Sequence, residues 1–393
     1  HVMGLSETLI KLGHEVEVIS GPPYPELRKE VVLIKIPSLD LFSSTNRFKE
    51  FKLNFLTSYT DLFEWFSVMT GGFPEPYTFG LRLEKFLKNK MGYYNILHDN
   101  QSLATSLLSI QGDFPLLTTI HHPITRDYEL ELTRYNNLKD RLLVKRWHSF
   151  LGMQKKVAKK LNNILCVSGQ SAIDVAEDFN VNPENISVVL NGVDIRIFKP
   201  NQDIVKIDFR IVTAASADIP LKGLEYLIKA MPKIRAFYPH VTLEVIGRAQ
   251  EGGLVDQLIH KLELKDVVNF NHGISEQKIS ELYCSADIAV IPSLYEGFGF
   301  GAAEAMACAL PVISTKSGGL AEVIGDAAYP VESSSSKDIS EAVISLFNNP
   351  VKKKSLSEKG LDRMQKKFSW ENTAELTVRA YLKAIDRFNE GTL

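Results

Sequence analysis

Cysteine is scarce and unpatterned in this chain. Cys166, Cys284 and Cys308 are scattered through apolar surroundings with no CxxC pair. This excludes a disulfide framework and a thiolate metal site, and the three read as reduced packing residues of a cytosolic protein. An excess of either charge is also lacking. Forty-five Lys and Arg stand against 47 Asp and Glu, a net charge of −2, so nothing global points to nucleic acid or a polyanion. No apolar run reaches the roughly 18–20 residues that a bilayer crossing needs. The uncharged stretches between Asp99 and Asp113 and over Leu161–Ile173 are short and carry Ser, Asn, Gln or Gly. No secretory signal and no long internal repeat are visible. The expectation is a cytoplasmic protein, peripheral at most on the inner face of a membrane. Asp-x-Asp, a pair that commonly holds a divalent metal on a diphosphate, does not occur.

What is present fits a large α/β protein. Of 393 residues, 45% are hydrophobic and 23% charged, enough for more than one core. The first residues, HVMGLSETLIKL, place Val2, Leu5, Leu9 and Leu12 at helical spacing, with Gly13 as a stop. No cap or strand precedes that helix, so the N-terminal domain is expected to lack its first strand and the loop after it. Strands are predicted at 15–20, 31–37, 93–98, 115–121, 163–168 and 186–190, and helices at 102–110, 135–160 and 170–179. A turn signal at Asn191-Gly192 and the polar stretch 199–202 interrupt the pattern. It restarts with strands at 210–215, 241–247, 267–271, 288–293 and 312–315, separated by helices that include 224–238, 275–285 and 302–309, and closes on helices near 338–347 and 370–387. Such alternation implies parallel sheets with helices on both faces. The reading is two facing Rossmann-like domains, 1–194 and 208–369, joined by a linker over 195–207. Ligands of such sheets bind outside the carboxyl ends of the strands, here in the cleft between domains.

Chemistry concentrates in IPSLYEGFGFGAAEAMACALPVISTKSGGLAE, residues 291–322. A strand runs into a loop with alternating Gly297, Gly299 and Gly301, and a helix of small residues follows, stopping before Pro311. Glycines let backbone amides approach a phosphate, and the helix start adds unpaired donors and a favourable dipole. Glu296 and Glu304 flank the loop; carboxylates pair with vicinal hydroxyls, so the ligand class is one with phosphates and sugar hydroxyls. A glycine-rich turn beside a Glu that merely complements the dipole is the plainer alternative.

EGFGFGAAEAMA resembles the E-x7-E signature of retaining glycosyltransferases of family 4, the group 1 glycosyltransferases, in which a nucleotide-sugar donor sits on the C-terminal Rossmann domain of a GT-B fold. LIKLGHEVEVIS, VLNGVD, LKG, SELYCSADIAVIPS, SGGLAEVI and FSWENTAELTVRAYLKAI extend the resemblance over nearly the whole chain. It implies that residues 370–393 are a helix crossing back onto the N-terminal domain. It also implies that Glu304 binds the ribose hydroxyls, that Glu296 binds a hydroxyl of the transferred sugar, and that the amides of Phe298, Gly299, Phe300 and Gly301 hold the diphosphate or sugar. Lys222 would neutralise the departing diphosphate. The family usually places an Arg five or six positions before this Lys, where this chain has Ala217 and Ser216. Arg248, or the Ser216 hydroxyl with backbone amides, is the expected substitute. His121, in TTIHHPI, matches the family histidine that faces the donor sugar. The implied catalytic set is therefore His121, Lys222 and Glu296, with no metal and no cofactor beyond a UDP- or GDP-hexose donor. His122, Asp99 and Asn100 are weaker candidates that loop capping explains equally well.

On the acceptor side, residues 39–87 are rich in Phe, Leu and Tyr with Arg47, Lys49 and Lys52 interspersed. Residues 139–160 hold eight basic side chains against one acid, interleaved with Leu142, Leu143, Trp147, Phe150 and Leu151. Such a helix could lie on an anionic membrane, with a lipid-linked or polysaccharide-precursor acceptor, or be a domain helix with a solvated charged face. The expected activity is metal-independent hexosyl transfer to a hydroxyl acceptor. A nucleotide-sugar epimerase of the same fold and a non-catalytic nucleotide-sugar-binding partner are the rivals.

Overall fold

The computed structural model describes residues 1–391 other than 45, 48, 49 and 136, so that Lys49 lies outside the described residues. The chain divides into two units, His1–Val189 with Thr373–Leu393, and Leu190–Asn372.

In the first unit the strands are β1 (Glu17–Ser20), β2 (Val32–Lys35), β3 (Leu97–Asn100), β4 (Leu116–Ile120), β5 (Ile164–Cys166) and β6 (Ile186–Val188). Its helices are α1 (Val2–Lys11), α2 (Tyr59–Met69), α3 (Glu75–Leu87), α4 (Leu107–Asp113), α5 (Thr125–Arg134), α6 (Leu138–Trp147), α7 (Leu151–Ala158) and α8 (Gly169–Phe179). β1 pairs with β2, and β3-β4-β5-β6 form a second sheet; every pairing is parallel. β4 and β5 are buried along their whole length, as parallel strands covered on both faces are. Ile120, Ile164 and Cys166 pack with Leu107 and Ile110 of α4, Val157 of α7 and Val175 of α8.

The second unit holds β7 (Arg210–Ala214), β8 (Thr242–Ile246), β9 (Val268–Asn271), β10 (Ile288–Ile291), β11 (Val312–Ser314) and β12 (Ala328–Pro330). They form one parallel sheet in the order β12-β11-β10-β7-β8-β9. Around it lie α9 (Leu224–Phe237), α10 (Leu254–Lys261), α11 (Glu276–Ser285), α12 (Phe300–Ala307), α13 (Leu320–Ile324), α14 (Ser336–Phe347) and α15 (Pro350–Lys367). The last helix, α16 (Trp370–Asn389), starts in this unit and continues in the first, where Ala380 packs on Leu117 and Leu165.

Several stretches differ from the sequence reading: β3 starts at Leu97 rather than at residue 93, and β12 and α15 have no counterpart in it. The helix expected over 135–160 is α6 and α7 with a 3-10 turn, His148–Phe150, between them. Phe73 packs on both Trp147 and Phe150 while Tyr128 packs on His148. The 3-10 turn thus lies where the chain meets aromatic partners from two separate segments. The stretch 195–207, read as a linker, is held along α11: Ser280 Oγ donates to the Ile197 carbonyl (2.8 Å), Cys284 Sγ to the Lys199 carbonyl (3.3 Å), and the Ile207 amide to the Ser285 carbonyl (2.9 Å).

Candidate active site

Two signals in the sequence, a Lys-Gly after β7 and a glycine loop after β10, come together because of strand order. β10 and β7 are neighbours in the sheet, yet the chain continues from them toward opposite edges. This is a topological switch point, where the loops at the carboxyl ends diverge and leave room for a ligand. The two loops are tied to each other. The Leu294 amide donates to the Leu221 carbonyl (2.7 Å), and a Cβ on Gly223 would lie 2.1 Å from the Pro292 carbonyl oxygen. Gly223 also has φ +64, so both space and backbone conformation require glycine there.

Side chains from both loops meet. Lys222 Nζ lies 2.8 Å from Glu296 Oε1, to which Ser293 Oγ also donates at 2.9 Å. The Glu296 main chain is pinned as well, its carbonyl accepting from the Gly319 amide (2.8 Å). Past Glu296 the backbone turns through Gly299 (φ +111) into α12. A Cβ at Gly301 would lie 2.7 Å from Ala214 Cβ of β7, so the helix start is held directly over the strand end. The amides of Phe298, Gly299, Phe300 and Gly301 meet no acceptor among the described residues. They form a row of open donors at a helix N-terminus.

Glu304 sits one turn into α12, its Oε2 3.4 Å from the Tyr283 hydroxyl. Burial pushes its carboxyl up to about 8, opposed by the Tyr283 hydrogen bond, with Glu276 pushing further up and Lys222 down. Ser216 and Arg248, on the loops after β7 and β8, are joined: the Arg248 amide donates to Ser216 Oγ (3.1 Å) and the Ala217 amide to the Arg248 carbonyl (2.8 Å). The Arg248 guanidinium is exposed, with Nε 3.2 Å from His272 Nε2.

In the first unit, His121 follows β4. Its Nε2 is 2.8 Å from Asn100 Oδ1 at the end of β3, and its ring stands edge-on to His1 at 4.8 Å between centroids. Burial pushes its imidazole down to about 4, so the ring is neutral near pH 7. His122 Nε2 turns to Asp127 instead (3.0 Å). Asp99 is a loop cap, accepting from the Ser102 amide (3.2 and 3.1 Å), the Ser102 hydroxyl and the Leu103 amide. That cap delays the helix expected from Ser102, so that α4 begins at Leu107. Burial nonetheless pushes Asp99 up to about 6.

Sequence reasoning missed three residues. Tyr283 contacts Glu304. Gln101 accepts from the His121 amide and donates to the His122 carbonyl, and its neighbours in LHDNQS were the one signal for it. His98 bridges Thr119 Oγ1 and the Tyr381 hydroxyl, each at 2.7 Å. Among the described residues no group of three or more His, Cys, Asp or Glu could hold a metal ion.

Comparison with known proteins gives two family matches that tile the chain: "Glycosyltransferase Family 4" over residues 1–196 and "Glycosyl transferases group 1" over 198–363. The MMP α-(1→4)-mannosyltransferase of Mycolicibacterium hassiacum is 40% identical over 392 residues, 98% of this chain and 94% of that protein. Among solved structures, sucrose-phosphate synthase from Thermosynechococcus elongatus superposes with a TM-score of 0.74 at 21% identity, covering 97% of this chain and 92% of that one. Anabaena HepE in complex with UDP and glucose gives 0.67 at 15% identity, covering 96% and 95%.

Proposed function

The chain belongs to the family 4, group 1 glycosyltransferases and has their GT-B fold, and on that premise we propose that it moves a hexosyl group, with retention, from a nucleotide diphosphate sugar to a hydroxyl acceptor. The observation that carries this reading is the row of open amides at Phe298–Gly301 flanked by the Lys222–Glu296 pair on one side and Glu304 on the other.

In this reading the donor diphosphate lies on the helix start, with Lys222 beside it. Charge grows on the diphosphate as the glycosidic bond breaks, and a fixed ammonium with aligned amides stabilises that state more than the ground state. Glu304 accepts from the ribose diol. Glu296, oriented by Ser293 and Lys222, accepts from a hydroxyl of the transferred sugar. Arg248 or the Ser216 hydroxyl takes the place of the family's upstream Arg. The acceptor hydroxyl gives its proton to the departing phosphate oxygen on the same sugar face, so no side-chain base is assigned. Neutral His121 hydrogen-bonds the sugar. Charge stabilisation comes from Lys222 and the amides, with no metal and no further cofactor. The similarity to an α-(1→4)-mannosyltransferase favours a mannosyl donor and an acceptor ending in a hexose 4-hydroxyl. HepE's complexes with UDP support the nucleotide diphosphate class.

A thermal-shift panel of UDP-, GDP- and ADP-sugars tests donor binding. One nucleotide class should raise the midpoint by several degrees, since a ligand at 100 times its Kd contributes about 2.7 kcal/mol. No shift from any of them would remove the donor site.

The basic stretch supports a membrane contact. α6 leaves Leu138, Leu142, Leu143 and Trp147 exposed beside Lys139, Arg141 and Lys145, and buries only Val144. Arg146 is engaged internally, with Ser67 Oγ (3.0 Å) and Thr70 Oγ1 (2.9 Å). Cosedimentation with anionic liposomes should occur at low salt and fall steeply by about 0.5 M; equal recovery at both salt levels would dismiss the contact.

A further inference from the structure

β3 ends on Asn100, and Gln101 follows with φ +60, the left-handed conformation that a long side chain rarely adopts. Leu103 is left-handed too, at φ +49. The Asp99 carboxylate holds this turn through the Ser102 and Leu103 bonds described above. The turn carries the Gln101 carboxamide to the end of β4. There Oε1 accepts the His121 amide (2.6 Å) and Nε2 donates to the His122 carbonyl (2.8 Å). Ser171 Oγ donates to the remaining His121 carbonyl (2.9 Å). The backbone under the imidazole is thus fixed on both sides. At the ring, Nε2 faces Asn100 Oδ1, and a carboxamide oxygen only accepts, so Nε2 carries the proton. No residue among those described partners Nδ1.

We propose that Asn100 and Gln101 are positioning residues that lock His121 as its Nε2–H tautomer, leaving Nδ1 a pure hydrogen-bond acceptor for a hydroxyl of the transferred sugar. This rests on the reading of His121 as the residue that meets that sugar. A buried ring pushed down to about 4 carries a single proton at working pH, so the tautomer decides its polarity. The consequence is a selection rule. The group opposite Nδ1 has to be a donor, such as a sugar hydroxyl; a carbonyl or a fully ionised phosphate oxygen would be repelled. Backbone strain at Gln101 is maintained because its side chain forms the clamp.

The test is 15N NMR of the full chain labelled at histidine, with the His121 signals assigned by their loss in His121→Gln. The wild type should show the Nε2–H tautomer. Asn100→Ala should give a tautomer mixture and a kcat lowered about 10- to 100-fold, the range that small misplacements of a reacting partner produce, with donor Kd within about threefold. Gln101→Gly relieves the positive φ, which offsets part of the cost of its two lost hydrogen bonds, so it should remain folded and still lose kcat. Gln101→Glu, which sets a carboxylate oxygen against the His122 carbonyl, should lose as much. A wild-type Nδ1–H tautomer would overturn the inference, as would Asn100→Ala with unchanged tautomer and turnover. If the tautomer is as expected but His121→Ala turns over normally, the role of His121 fails and the tautomer assignment stands.

Discussion

Lys222→Ala should lower kcat by about 10²- to 10³-fold, the range found when one preorganised donor to developing negative charge is removed. Donor KM should move far less. The Lys222 ammonium lies beside Glu296 before any ligand arrives, and its advantage grows only as the diphosphate takes on charge. The fold should tolerate the change. The Lys222 side chain is 31% exposed, and ion pairs at such positions contribute about 0–1 kcal/mol. The unfolding midpoint therefore separates lost chemistry from lost structure. A kcat within about threefold of wild type would take Lys222 out of the reaction, since a threefold change is only about 0.65 kcal/mol.

Glu304→Gln should have opposite effects on stability and on binding. The ordinary carboxyl of an unfolded chain titrates near 4.5, whereas burial holds folded Glu304 near 8. Between those values the unfolded chain loses the proton and the folded chain keeps it. The stability contributed by neutral Glu304 is therefore complete below about 4.5 and is lost as pH rises through about 8. Glutamine does not titrate. The variant should match the wild type near pH 5 and melt several degrees higher at pH 8–9, a size that follows from about 2–4 °C per kcal/mol in a domain of 150–250 residues. Above about pH 8, where Glu304 is ionised, donor affinity should fall about 10- to 100-fold, because one amide oxygen replaces a carboxylate that accepts from both hydroxyls of a diol. Melting curves across pH, with and without nucleotide sugar, measure both. A variant that melts like the wild type at every pH would mean that Glu304 is ionised in the free protein.

Much of this site is legible in the sequence, because the features that build it are local. Ile288–Ile291 is an unbroken aliphatic run, buried throughout, and the glycines after it announce the turn into α12. Glu296 and Glu304 follow from spacing within that one segment. Other elements carry weak local signals. α15 buries only Leu356, Gly360 and Met364, a stripe one residue wide on an otherwise charged helix, so its periodicity is lost among the lysines. The break between α6 and α7 falls where Phe73 and Tyr128, partners distant in sequence, pack on it. Gln101 is illegible for a different reason. Nothing in its residue type predicts φ +60, and its reach to His121 exists only once Asp99 has shaped the turn. Tyr283 reads as one more core aromatic, fully buried, until α11 places its hydroxyl at Glu304.

The most direct test of the central claim is proton NMR of a reaction containing the full chain, an α-linked nucleotide diphosphate hexose and a mannoside acceptor with a free 4-hydroxyl. Nucleoside diphosphate should be released only when acceptor is present, in equal amount to a new α-linked product. A β-linked product, nucleotide release without acceptor, or conversion of the donor into its epimer would contradict it.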